Sequence, residues 1–178
     1  EEMISKLIAT EGTSGFDIVV PTGVFVPQMA ENGLLEELDL TRIPNFENIG
    51  EEYRDQPWDP GNAHSVPKAW GTTGYTYVAS EITRPMVTWQ DFIDAAQNEA
   101  SGNMSILDDP NEAIGIYFWS RDEDWNTTDP AALDACEDFL VNELAPHVKA
   151  FESYPGSSGI PQGSYALCQA WNGDGRQG

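Results

Sequence analysis

The chain has 178 residues, 40% of them hydrophobic, which is enough apolar material for one or two packed domains and argues against a disordered chain. Asp and Glu number 30 against 8 Lys and Arg, a formal charge of -22 that argues against nucleic acid or an anionic membrane as partner. Such a surface suits cationic partners or a salty milieu, and most of its carboxylates serve only solubility.

Met3, Leu7 and Ile8 fall at helical spacing and predict a short amphipathic helix over 1–9, followed by a turn over 11–15. Residues 16–20 (Phe-Asp-Ile-Val-Val) are β-branched and largely apolar, the pattern of a strand buried on both faces of a parallel sheet. Pro21-Thr22-Gly23 breaks that run, and 24–32 reads as a helix closed by Gly33. A small polar turn thus stands at the carboxyl end of a strand, where open α/β sheets hold their ligands.

An acidic connection over 34–40 and a weak helical turn over 41–49 lead to a loop at 56–62. Residues 65–70 and 75–78 are β-prone and flank Gly71-Thr72-Thr73-Gly74, whose glycines permit a sharp change of direction. A crossing between two domains, 1–72 and 73–178, is expected here.

Thr88 caps a helix that turns Trp89, Phe92, Ile93 and Ala96 to one face and ends near Ser101-Gly102. A β-prone run over 104–107 then stops at Asp108 and Asp109, and Pro110 opens a helix that carries Glu112. Asp109-x-x-Glu112 resembles a capping box, in which the first acid takes amides and the second reaches back. A helix N-terminus carries about +0.5 of an elementary charge and repels a cation, so a cation site there needs acids in excess of the cap. Three carboxylates in five residues supply that excess, and both readings stand at this point.

The helix after Pro110 turns Ile114, Tyr117 and Phe118 inward and ends in the polar run 121–128. Asp122-x-Asp124-x-Asn126 begins like a calcium loop but lacks the glycine and the terminal glutamate, so it reads as solvated. Asp129-Pro130 starts another helix with Leu133, Cys136, Leu140 and Leu144 on its apolar stripe, which makes Cys136 a small buried hydrophobe. Residues 148–151 suit a strand, 154–163 are rich in Gly, Pro and Ser, and 165–171 read as a last buried strand with Cys168. That strand ends at Trp171-Asn172-Gly173-Asp174. The two cysteines permit one disulfide without demanding it.

Taken together, these stretches resemble the polyamine-binding proteins of bacterial ABC importers, a branch of the periplasmic binding proteins. The likeness is carried by Phe16 through Thr22, by Pro57-Trp58-Asp59-Pro60-Gly61-Asn62 with Ser65-Val66-Pro67, by Trp70-Gly71-Thr72-Thr73-Gly74, by the acidic junction 107–112, by Asn126-Thr127-Thr128-Asp129-Pro130 and by Ala170-Trp171-Asn172-Gly173. They occur in family order across essentially the whole sequence. The resemblance implies an α/β, two-lobed fold with an incomplete first lobe and most of the second, since the family's chain extends at both ends. It also implies a polyamine, spermidine or putrescine, held between lobes by carboxylates and indole rings. Position by position, Thr22 matches a small hydroxyl residue of the first lobe, Asp109 and Glu112 match two carboxylates of the second, Trp171 a stacking tryptophan, and Asp174 an acid of some putrescine binders. Val24 departs from the tyrosine of spermidine binders.

The same resemblance implies no catalysis, no cofactor and no metal. The expected partners are the polyamine and an ABC permease, with no nucleic acid, and the protein is expected to be a periplasmic or extracellular monomer that meets a membrane only through the permease or a lipid anchor outside the sequence. Two other readings compete: a receptor for another solute, and a carboxylate-based carbohydrate-active enzyme in which one acid protonates the leaving group. Gly12-Thr13-Ser14-Gly15 and Gly156-Ser157-Ser158-Gly159 lack the nucleophile-elbow pattern, and His64 and His147 have no supporting partners at catalytic spacing.

Overall fold

The structure, a computed structural model, describes residues 2–10 and 15–178. The turn expected over 11–15 lies outside the described residues except for Gly15, and Glu1 lies outside them too. The chain divides into two compact units, Glu1–Trp70 and Gly71–Gly178.

The first unit opens with helix α1 (Glu2–Ala9), whose Ile4 and Leu7 are buried with Met29 of helix α2 (Val26–Glu31). A 3-10 turn, Gly23–Phe25, precedes α2, so the single helix expected over 24–32 is split in two. Gly33 follows at φ +65°, a left-handed position that glycine fills without strain. Further 3-10 turns, Leu40–Arg42, Pro44–Asn48, Glu51–Tyr53 and Pro60–Asn62, carry the chain onward. Polar side chains hold this irregular path. Buried Asp59 accepts from the His64 amide at 3.1 Å and the Ser65 hydroxyl at 2.6 Å, and buried Asn62 accepts from the Asp55 amide at 2.9 Å.

Two expected strands are absent from this unit. Residues 16–20 form none, and Phe16, Ile18 and Val20 are exposed, Ile18 at 84%. Residues 65–70 also lack strand structure. A β-prone run becomes a strand only when a second backbone accepts its N–H and C=O groups, and among the described residues of this unit no such ladder forms.

The second unit is built on a four-stranded sheet of β1 (Thr73–Tyr77), β2 (Met104–Leu107), β3 (Val148–Glu152) and β4 (Leu167–Trp171) in the order β1-β4-β2-β3. Strands β2, β3 and β4 run parallel, and β1 is antiparallel to β4. Helix α3 (Trp89–Gln97), helix α4 (Pro110–Ser120) and helix α5 (Pro130–Phe139), which continues as a π-helical turn, Leu140–Leu144, pack around the core with Phe92, Ile93, Ile116, Phe139 and Leu144 buried. Along β4 the side chains alternate as a strand requires. Leu167 joins that core and the Gln169 amide reaches α4, whereas the Cys168 sulfur faces the Pro155 carbonyl of the short helix α6 (Pro155–Ser158). Ala170 meets Gly175 of α7 (Asn172–Gly175). Both faces of β4 are therefore covered, as expected of a nearly continuous apolar strand, whereas edge strand β3 leaves Phe151 exposed.

The stripe on α5 is shifted from expectation. Cys136 and Leu144 are buried and Phe139 joins them, but Leu133 is 40% exposed. Cys136 and Cys168 are both free thiols, and burial raises both, Cys168 to about 11. Neither supplies a thiolate nucleophile near neutral pH.

Candidate ligand-binding edge of the second unit

Because β2, β3 and β4 are parallel, their carboxyl ends open onto one edge of the sheet, the edge where parallel α/β sheets place their ligands. Leu107 leads there to Asp108, Asp109 and Glu112, Glu152 leads to Ser153 and Tyr154, and Trp171 ends β4. Thr73 of antiparallel β1 pairs with Trp171, so β1 begins at the same edge.

Asp109 is the N-cap of α4. Its Oδ1 accepts from the Asn111 amide at 2.9 Å and more weakly from the Glu112 amide at 3.4 Å. The expected capping box is only half made. Glu112 does not turn back to close it, and its Oε2 is buried with no hydrogen-bond partner among the described residues. An ionised carboxylate oxygen removed from water and left unpaired is costly, and a bound ammonium group would supply the missing donor.

Trp171 is half-buried and stands edge-to-face with Tyr154, ring centroids 5.7 Å apart at 64°. On the β1 side of Trp171 lies a shallow cavity of about 290 Å³, also lined by Thr72, Tyr75, Asn172 and Arg176.

Asp174 departs from expectation. It is 5% exposed, with one oxygen accepting from the Gly156 amide at 2.7 Å and the other from the Ser157 amide at 2.9 Å. Its carboxylate caps the amino end of α6 instead of standing open for a ligand. Gly156 makes this approach possible, since a Cβ there would lie 2.8 Å from Oδ2 and 3.0 Å from the Gly175 Cα.

Thr22 belongs to the first unit, exposed at the start of the Gly23–Phe25 turn, with no capping bond from its hydroxyl. Beside it the Trp58 indole lies so close to Gly23 that a Cβ would fall 2.5 Å from Nε1. Val24 is exposed. Asp124 closes a turn onto the Asn126 amide at 2.9 Å in the exposed loop of the calcium-like motif.

A residue that sequence reasoning passed over organises this edge. The main-chain ladder between β2 and β4 covers only Met104↔Leu167 and Ser105↔Cys168. Beyond it, fully buried Gln169 bridges the gap with its side chain. Its Oε1 accepts from the Leu107 amide at 3.1 Å and its Nε2 donates to the Glu112 carbonyl at 2.9 Å. One amide therefore fixes the end of β2 and the first turn of α4 to the strand that carries Trp171. The available signal was a lone Gln in an apolar run ending at the candidate tryptophan.

Residues 1–174 match the family described as bacterial extracellular solute-binding protein. The chain is 30% identical over 173 residues to the spermidine/putrescine-binding periplasmic protein of Escherichia coli, covering 97% of this chain and 49% of that protein. It is 30% identical over 178 residues to the putrescine/cadaverine-binding protein of Pseudomonas aeruginosa, covering 98% and 49%. Among solved structures, a lipoprotein of Treponema pallidum superposes with a TM-score of 0.84 at 27% identity, over 98% of this chain and 54% of that one. The spermidine/putrescine ABC transporter substrate-binding protein of Streptococcus pneumoniae, solved with calcium and HEPES, gives 0.76 at 28% identity, over 99% and 53%. The chain spans about half the length of the curated relatives it matches, and over that length its α/β fold is that of periplasmic binding proteins. The chain belongs to the bacterial extracellular solute-binding protein family.

Proposed function

We propose that the protein is an extracytoplasmic receptor that captures a polyamine, putrescine or spermidine, and delivers it to an ABC importer without altering it chemically. The observation that carries this reading is the Glu112 carboxylate, whose Oε2 is buried and lacks a donor among the described residues, three residues from the Asp109 carboxylate. A polyamine is a flexible multivalent cation with an apolar stem. It supplies N–H donors to such oxygens and methylenes to an indole such as Trp171, with cation–π attraction of about 0.5–2 kcal/mol. The formal charge of -22 favours encounter with a cation. The names of the relatives point the same way, since several bind spermidine, putrescine or cadaverine. Those relatives also support a periplasmic or extracellular setting, and no helix among the described residues is long and apolar enough to cross a membrane.

In this reading Asp109 and Glu112 hold an ammonium group and Trp171 takes the stem. Asp174 shapes the edge from behind, as the cap of α6. Calorimetric titration of the full-length protein with putrescine, cadaverine, spermidine and spermine tests it. Saturable binding of at least one amine, weakened by salt, is expected. No heat and no thermal stabilisation with any of the four would overturn it.

A further inference from the structure

We propose that Tyr154 is a ligand-contacting residue of this edge, presenting its ring face to an alkylammonium end of the ligand beside Trp171; the inference rests on the polyamine reading above. Tyr154 follows the carboxyl end of β3, the strand parallel to β2, so the chain delivers it to the same edge as Asp109, Glu112 and Trp171.

Its ring does little for the fold. It is 64% exposed, and the hydrogen bond made at this residue, from the Ser158 hydroxyl at 3.0 Å, goes to the main-chain carbonyl. Its neighbours are nonetheless fixed. Glu152 accepts from the Tyr165 hydroxyl, Pro155 and Gly156 are buried, and Trp171 sets the ring's orientation through the edge-to-face contact. In such a pair the positive edge of one ring meets the negative face of the other, which leaves aromatic face free for a cation.

Local electrostatics favour a cation on this side of Trp171. The amides that open α6, next in sequence to Tyr154, would repel an ammonium group if left bare, but Gly156 and Ser157 donate theirs to the Asp174 carboxylate. On the β1 side the cavity that borders Trp171 carries Arg176 on its wall, and that charge disfavours an ammonium there. The ammonium end is thereby directed toward Tyr154.

The test is calorimetric titration of the full-length protein and of Tyr154→Phe, Tyr154→Leu and Tyr154→Ala with putrescine and spermidine at fixed ionic strength. Tyr154→Phe keeps the ring and should bind within about twofold of the parent, whereas Ala and Leu should each lose about 3- to 30-fold, the cation–π range. Melting temperatures should change little, because the ring is exposed. Binding by Tyr154→Leu equal to that of the parent would overturn the inference and leave the polyamine reading standing. A parent protein that binds neither amine would overturn the inference, and one that binds none of putrescine, cadaverine, spermidine and spermine would overturn the polyamine reading as well.

Discussion

Three helices of the second unit begin with a capped turn, and they differ in where the third helical position sends its side chain. At α3, Thr88 and Asp91 close a full box, Asp91 accepting from the Thr88 amide at 2.8 Å and the Val87 amide at 3.0 Å. At α5, Asp129 caps with Pro130 behind it and the third position is Ala132, so no second acid exists. At α4 the Asp-Pro start is repeated, but Glu112 occupies the third position and leaves the box open, with one oxygen buried and unpaired among the described residues. A cap by itself is therefore no sign of a binding site. What sets α4 apart is a surplus carboxylate on a first turn whose main chain Gln169 ties to the end of β2.

The largest expected effect follows from removing that support. Gln169→Leu keeps the volume but strips the Leu107 amide of its acceptor in a fully buried place and takes a donor from the Glu112 carbonyl. The cost should be about 2–4 kcal/mol, a lost hydrogen bond plus a stranded donor. Urea unfolding of the full-length variant measures it. A midpoint equal to that of the parent would mean that β2 and α4 are held by something else.

A sharper cut between cap and site comes from Asn, which caps a helix about as well as Asp but carries no charge. Asp109→Asn should leave the melting temperature within a degree or two, yet weaken polyamine binding by roughly 30-fold, the order of 2 kcal/mol for a desolvated charge pair. Asp129→Asn should change neither. If both variants bind alike, α4 and α5 differ only in appearance, and the contrast drawn between them fails.

Much of this contrast is legible in the amino-acid sequence because it is local. Asp109-Pro110 and Asp129-Pro130 announce their helices, and 104–107 and 165–171 announce strands that do find partners. What the sequence hides depends on non-local pairing. Residues 16–20 read much like β4, yet no backbone among the described residues of the first unit pairs with them. Gln169 looks like an ordinary strand residue until the β2–β4 ladder stops short and its amide is needed to continue it. Asp174 looks available until α6 folds over it, because its partners are amides 18 and 17 residues away. Tyr154 sits in a stretch that composition marks only as loop.

The smallest expected effect tests the closed box at α3 through acid titration. Hydrogen bonds from the Thr88 backbone, then from Val87 and the Thr88 side chain, hold the Asp91 carboxyl below its ordinary value of 3.8. A carboxyl with a lowered folded value binds fewer protons when folded than when unfolded. Its contribution to stability is therefore fully present above the unfolded value and is lost as pH falls through the folded one. Asp91→Asn removes that proton linkage while leaving Thr88 to cap, so stability measured from pH 6 down to pH 3 should fall less steeply in the variant than in the parent. Identical slopes would show that the closed box contributes nothing that titrates, and would place α3 beside α5 as a cap without a working second acid.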